Sequence, residues 1–364
     1  PDGRMRGTLV YWGAHTGRWA GRGVQPQNLP SPVKGFSPDA YDADVPAVAA
    51  NLKCDEEEVL ASMLRGILVA PLGWLLLMID YAQIEARVLK WLAKDEEGLR
   101  VFREGRDVYS ATAAPMFNLL EQECGKGTVA RIVGKVATLA LGYQGGPNSL
   151  STFGAMYSFD FLDNGLDPVE VVNQWRDANP LIAGVRKGLW RTPEGNMVVT
   201  RKGGLWKTVQ YAVIDALKGK GAQVAARCVI EKRGEHLVIT LPSGRPLVYR
   251  NAKYQMWENN YGGVSKAIVF DGVRYGKIVR EATYGGRIVE NLTQAVARDV
   301  MAEAMLRLEA AGLECLFTVH DEVILCGRDE DDLRRAEEIM VQPMEWAPDL
   351  PLKVEGEIGK RYRK

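Results

Sequence analysis

Apolar positions in this chain fall into short runs and helical stripes that outline most of its elements. Trp74 to Ile79 (WLLLMI) is continuously apolar, long enough for a buried strand and far too short to cross a membrane. Asp80 follows at once, and Ile84, Val88 and Leu92 then repeat at helical spacing. The pattern predicts a core strand giving way to a helix, with a carboxylate at the junction. Leu316 to Leu325 (LFTVHDEVIL) reads as a tight hairpin with His320, Asp321 and Glu322 at its tip. Thr8 to Trp12 is a short strand. Asp55 to Glu58 opens an amphipathic helix whose apolar side is Val59, Leu60, Met63 and Leu64, with acids in the first turn where the dipole favours them.

The middle of the chain is mainly helical in pattern. Residues 95–126 read as helices broken at Pro115. Thr128 is a candidate N-cap for a helix carrying Arg131, Lys135, Leu139 and Tyr143. Four-residue steps advance about 400°, so these four side chains form one slanted stripe. Gly134 and Gly142 should weaken that helix by up to about 1 kcal/mol each relative to alanine. Gly145-Gly146-Pro147 ends it, Asp167-Pro168 starts another, and Val169 to Trp190 reads as a helical pair around Pro180. His236 to Tyr249 is a hairpin with a Pro-Ser-Gly turn, in which His236 reads as structural. Tyr284-Gly285-Gly286 leads into a long helix, Ile288 to Ala311, buried along Leu292, Val296, Val300, Ala304 and Leu308. Trp175, Trp190, Trp206 and Trp257 could stack on bases, but core packing is the simpler reading.

Composition narrows the classes. The 364 residues are 46% hydrophobic, enough for one or two domains. Lys+Arg and Asp+Glu are both 46, so any nucleic-acid affinity must come from charge gathered on one face. Five scattered cysteines without a CxxC spacing read as reduced thiols of a cytoplasmic protein, neither a disulfide framework nor a zinc site. No signal peptide or membrane span is visible.

The chemistry gathers at three places. Asp80 and Asp321 both sit at the ends of apolar strands, and two such aspartates meeting in the fold would suit a hard divalent cation. For either one alone, a solvated turn residue is the simpler reading. The Arg131–Tyr143 stripe, with cations at a helix N-terminus and apolar groups beyond, suits a nucleoside triphosphate. The loop around Arg4, Arg6, Arg18 and Arg22 is basic and suits phosphates, or is simply solvated.

DYAQIEAR (80–87) and VHDE (319–322), with the stripe RxxxKxxxLxxxY, resemble the palm and fingers motifs of family A DNA polymerases, the DNA polymerase I type, in a bacteriophage-like form. The resemblance runs from Gly3 to the C-terminus. It implies an α+β right-hand polymerase fold: an antiparallel palm sheet (1–95 and 276–364) with an inserted, mostly helical fingers domain (96–275). It implies template-directed addition of deoxynucleotides with two Mg²⁺ ions, for which Mn²⁺ can substitute, held by Asp80, Asp321 and the Tyr81 carbonyl. Glu322 and His320 would orient the primer end. Arg131 and Lys135 would hold the triphosphate, Tyr143 would guard the template-base pocket, and Glu85, flanked by matching Gln83, Ile84 and Arg87, would exclude a 2′-hydroxyl.

The same resemblance extends to the DNA contacts. The TGR…QN-P segment implies contact of Arg18, Gln27 and Asn28 with primer–template DNA, although Trp19-Ala20-Gly21 replaces the usual serines. ENLTQAVARD implies a minor-groove contact for Gln294, with Glu290 where many relatives have Asn. LPSGR is common in family A fingers, and VEGEIGKRYRK resembles the closing segment as a basic tail. Leu139 replaces an aromatic residue, an aliphatic form associated with some phage enzymes, and should alter rate or fidelity. The thumb and 3′–5′ exonuclease domains that precede TGR in the family have no counterpart here. The expectation is therefore a distributive enzyme, a fragment, or one half of a split polymerase whose upstream partner chain supplies them. Primer–template DNA and dNTPs are the expected partners, in a bacterial host cytoplasm, with no membrane. The competing classes are a non-catalytic DNA-binding relic, against which the intact Asp80, Asp321, Arg131 and Lys135 speak, and a single-subunit RNA polymerase, against which Glu85 speaks.

Overall fold

The structure, a computed structural model, describes residues 3–37, 44–191, 197–258, 262–274 and 276–363. The chain divides into two compact units, one of Pro1–Ile84, Ala297–Pro348 and Leu352–Lys364, the other of Glu85–Val296 and Asp349–Pro351.

The first unit is built on a four-stranded antiparallel sheet in the order Cys315–Val319, Glu322–Gly327, Leu75–Tyr81, Val354–Gly359. Leu76 to Ile79 are all buried without alternation, because both faces of this strand are covered. Leu76 and Met78 pack with Val319, Ile324 and Tyr362 on one face. On the other, the Tyr81 hydroxyl donates to the Met340 carbonyl (2.8 Å) at the end of the helix Glu330–Met340, which packs on Val354–Gly359. The basic closing segment is tied into this sheet. It forms an edge strand of the central sheet, and Tyr362 is fully buried. The helix Glu56–Met63 has the expected start, with Asp55 and Glu58 forming a capping box. Of its predicted apolar side only Val59 is buried, while Leu60 and Leu64 are exposed.

The second unit is helical from Glu85 to Leu217 apart from the hairpin Val185–Arg191/Met197–Lys202. A six-stranded antiparallel meander from Gln223 to Thr283 follows, each strand beside its sequence neighbour. The insert is thus mixed, not mostly helical. The helix Val108–Phe117 runs through Pro115 without breaking. It packs closely on Val129–Leu141, and a Cβ on Gly134 would come within 2.2 Å of the Tyr109 carbonyl oxygen. That close approach accounts for Gly134. The helical pair around Pro180 is also shorter than expected. Pro180–Ala183 is a single turn, and Gly184, at φ 88°, diverts the chain into the strand bearing Trp190, which is exposed. Trp175 and Trp206 are buried and stacked, as core packing requires. The helix Gly285–Ala310 begins at the predicted glycines, and its five stripe residues are buried.

All five cysteines are free thiols. Among the described residues, no helix is long and apolar enough to cross a membrane.

Candidate active site

In the first unit Asp80 lies at the solvent end of its buried strand, directly opposite Glu322 on one neighbouring strand and Glu355 on the other. Directly paired residues share a face, so three carboxylate-bearing positions form one row across the sheet. Asp321 occupies the turn just before Glu322. His320, at φ 53°, takes the left-handed conformation that a two-residue turn needs, and the Tyr81 N–H donates to the Asp321 carbonyl (3.2 Å). The two aspartates read from separate stretches, 241 positions apart in numbering, thus belong to adjacent strand ends.

Glu322 departs from expectation. It is not at an exposed tip but is the first residue of a strand and buried, where the Tyr362 hydroxyl donates to its Oε2 (2.7 Å). Burial, then the charge and hydrogen bond of Glu322, push the Tyr362 phenol far above its ordinary value. Arg65 lies over the Tyr362 ring (5.7 Å) and donates to the carbonyls of Leu29 and Pro30 (2.9 Å each), fastening the segment that follows Gln27 and Asn28.

Arg18 Nη2 donates to Asp321 Oδ1 (3.3 Å). Arg18, Gln27, His320 and Asp321 line one small cavity of about 50 Å³ together with Trp19 and Arg298. The Gln27 Oε1 is buried with no hydrogen-bond partner among the described residues. Asn28 is turned to a neighbour, donating to Gln25 Oε1 (2.7 Å). Behind the cavity the buried Arg298 donates through Nε to the Gly17 carbonyl (3.0 Å) and lies 4.7–5.8 Å from the ring centroids of Tyr11, Trp12 and Trp19. A chain of contacts therefore runs from Arg298 through Gly17 and Arg18 to Asp321.

The available donors here are carboxylate and carbonyl oxygens, which suit Mg²⁺. That ion takes one or two carboxylates and fills its remaining positions with water and substrate phosphates. No group of three or more His, Cys, Asp or Glu side chains among the described residues makes a closed protein cage. The residues present fit an open, substrate-completed Mg²⁺ site.

In the second unit the Tyr143 hydroxyl donates to Glu85 Oε2 (2.8 Å), and burial together with the Glu85 charge raises its phenol well above the ordinary value. Glu85, Leu139 and Tyr143 line one pocket with Lys90 and Trp175. The stripe is slightly shorter than predicted. The helix ends at Leu141, and Tyr143 follows Gly142, which keeps helical angles (φ −56°, ψ −25°). Thr128 caps the helix by accepting from the Arg131 N–H (3.2 Å). Arg131 Nε donates to Asp107 Oδ2 (2.6 Å), and Lys135 Nζ lies 4.1 Å from the Tyr157 ring centroid. Gln83, which belongs to the first unit, is exposed at φ 49° in the turn before Ile84. Gln294 and Glu290 are both half-buried on the long helix, and Glu290 is among the charges raising Tyr143.

The sequence profile of DNA polymerase family A matches residues 1–154. A DNA polymerase of Bacillus phage SP02 is 35% identical over the whole chain. These two matches support a family A polymerase. The chain spans about half (53%) of that phage relative's length. A thermostable DNA polymerase I of Thermus filiformis is 55% identical over 60 residues, 16% of this chain and 7% of that protein. A solved structure, the POL domain of Pol1 from M. smegmatis in complex with DNA primer-template and dNTP, superposes with a TM-score of 0.58 at 17% identity. It covers all of this chain and 48% of its own, a likeness of fold.

Sequence patterns did not point to Tyr362, Arg65 or Arg298 in the first unit, nor to Asp107 in the second. Arg298 lies between Val296 and Val300 on the apolar helix, and a charge there is visible as an interruption, but its aromatic partners are some 280 positions away. Asp107 carries a local signal, since it precedes an apolar helix as an N-cap does.

Proposed function

We propose that this chain carries the nucleotidyl-transfer core of a template-directed DNA polymerase. It would add deoxynucleotides to a primer 3′-hydroxyl, with the first unit in the role of palm and the second in that of fingers. The observation that carries the reading is the placing of Asp80 and Asp321, the two aspartates of the family motifs, at adjacent strand ends through the Tyr81–Asp321 hydrogen bond. Asp80, Asp321 and the Tyr81 carbonyl would hold the divalent ions, two Mg²⁺ in this reading, which lower the pKa of the primer hydroxyl and neutralise charge on the departing pyrophosphate. The 3′-oxygen attacks the α-phosphorus, the α–β bridging bond breaks, and pyrophosphate leaves.

The chain's own side chains supply the positioning. Arg131 and Lys135 meet the triphosphate charge at a helix N-terminus. The Glu85–Tyr143 pair stands where a 2′-hydroxyl would have to fit, so ribonucleotides are rejected. Arg18, Gln27 and Gln294 contact the primer–template, and Leu139 offers an aliphatic surface to the nucleotide. Glu322, locked by Tyr362, supports the primer end with His320. The phage relative and the DNA- and dNTP-bound structural neighbour support DNA and dNTPs as partners.

The test is primer extension with Mg²⁺ and dNTPs or rNTPs, comparing the intact chain with Asp321→Ala. Extension with dNTPs alone, lost in the variant, is expected. Full extension by Asp321→Ala would sink the assignment. Extension by the intact chain only after an upstream chain is added would identify a split polymerase.

A further inference from the structure

The six-stranded meander carries chemistry that the nucleotidyl-transfer reading does not use. Between Pro246 and Arg287, seven Lys and Arg stand against three acids, in a chain whose total charge is balanced. Part of this charge is neutralised in place, since Arg274 pairs with Glu281 (2.7 Å) and Arg280 with Asp271 (2.8 Å). Lys266 and Arg287 are different: both are exposed and form no ion pair among the described residues. They line an open groove of about 650 Å³ with the aromatic residues Tyr254, Trp257 and Tyr284.

The register explains how the groove is furnished. Tyr254 pairs with Ile268, and Ile268 with Thr283, so these three share a row on one face; Lys266 lies two residues from Ile268, on the same face. Thr283 lines the groove, while its hydroxyl is buried beneath it with no hydrogen-bond partner among the described residues. Lys218 Nζ already sits 5.3 Å from the Tyr254 ring centroid, which adds a cation beside this aromatic surface. Uncompensated cations with interleaved half-exposed rings are what a strand of unpaired nucleotides needs: charges for phosphates and π-faces for bases. A duplex, whose bases are stacked on each other, gains only the charges.

We propose that this groove binds single-stranded DNA. The interaction needs neither dNTP nor metal, so it is separable from the polymerase chemistry. The test is fluorescence anisotropy of a labelled oligo(dT) 12-mer with the full chain in EDTA, together with photocrosslinking of a 5-iodouracil-substituted oligonucleotide. Lys266→Ala/Arg287→Ala changes two exposed side chains and should leave folding intact. It should lower the slope of log Kd against log salt by about 0.7 for each cation. Tyr254→Ala should weaken binding about tenfold, with its thermal melt checked against the parent. Crosslinks should map to peptides within Tyr254–Arg287. An unchanged salt slope and Kd in the double variant would overturn the proposal. So would crosslinks confined to other segments, or equal affinity for a blunt duplex.

Discussion

Replacing Tyr362 by phenylalanine removes a single oxygen from the interior of the first unit. That oxygen donates to the buried Glu322 carboxylate at 2.7 Å, and the ring itself is fully buried. Phenylalanine keeps the ring contacts with Phe317 and Arg65, so no cavity is made beyond the hydroxyl. The loss is that of a charge-assisted hydrogen bond to a group that cannot turn to bulk water, about 1.5–3 kcal/mol. At roughly 2–4 °C per kcal/mol for a folding unit of this size, Tm should fall by about 3–12 °C. Thermal melting of the intact chain reads the effect, with Tyr211→Phe as the control. Tyr211 is 60% exposed, and its change should stay within about 0.5 kcal/mol of the parent. The activity of Tyr362→Phe should also fall, because Glu322 is left to find another partner beside Asp80. If Tyr362→Phe melts with Tyr211→Phe and extends primers as the parent does, the reasoning about Glu322 fails.

Other expectations rest on separate contacts. Arg298→Ala removes a buried cation that holds the Gly17 carbonyl and faces three aromatic rings; about 3 kcal/mol of destabilisation and faster tryptic cleavage at Arg18 and Arg22 should follow. Arg298→Lys should keep the fold but raise KM for primer–template more than it lowers kcat. Tyr143→Phe frees Glu85 from its 2.8 Å hydrogen bond, and the ratio of dNTP to rNTP incorporation should drop several-fold, on the order of one lost hydrogen bond. An unchanged ratio would remove Tyr143 from the sugar gate.

The Asp107–Arg131 pair gives a pH signature. Burial raises the Asp107 carboxyl, but the Arg131 hydrogen bond and charge and the N–H groups of Tyr109 and Ser110 together hold it below the usual range. A depressed folded value means the stabilisation is complete above the unfolded value of about 3.9 and is lost as pH falls through the folded one. Asp107→Asn should therefore flatten the acid limb of the stability profile and raise KM for dNTP. An unaltered acid limb would contradict the pairing.

Much of the local structure was legible in the sequence because its causes lie within a few residues. The apolar run before Asp80, the Thr128 cap, the acidic helix start at Asp55–Glu58, the LPSGR hairpin and the five-residue stripe of the long helix each follow from periodicity or a side chain at a helix end. The candidate site was partly legible for a different reason, since short motifs marked Asp80, Asp321, Arg131 and Tyr143 before any pairing was known. Tertiary structure decided the rest. Whether Trp190 is buried depended on where Gly184 sends the chain. The register that sets Glu322 and Glu355 on either side of Asp80, and the pairing that makes the closing segment an edge strand beside Leu75–Tyr81, join segments hundreds of positions apart. Periodicity says which side of an element seeks burial. Only the folded chain decides which partner it meets there, because that choice is set by the total burial and hydrogen bonding of surfaces remote from one another in sequence.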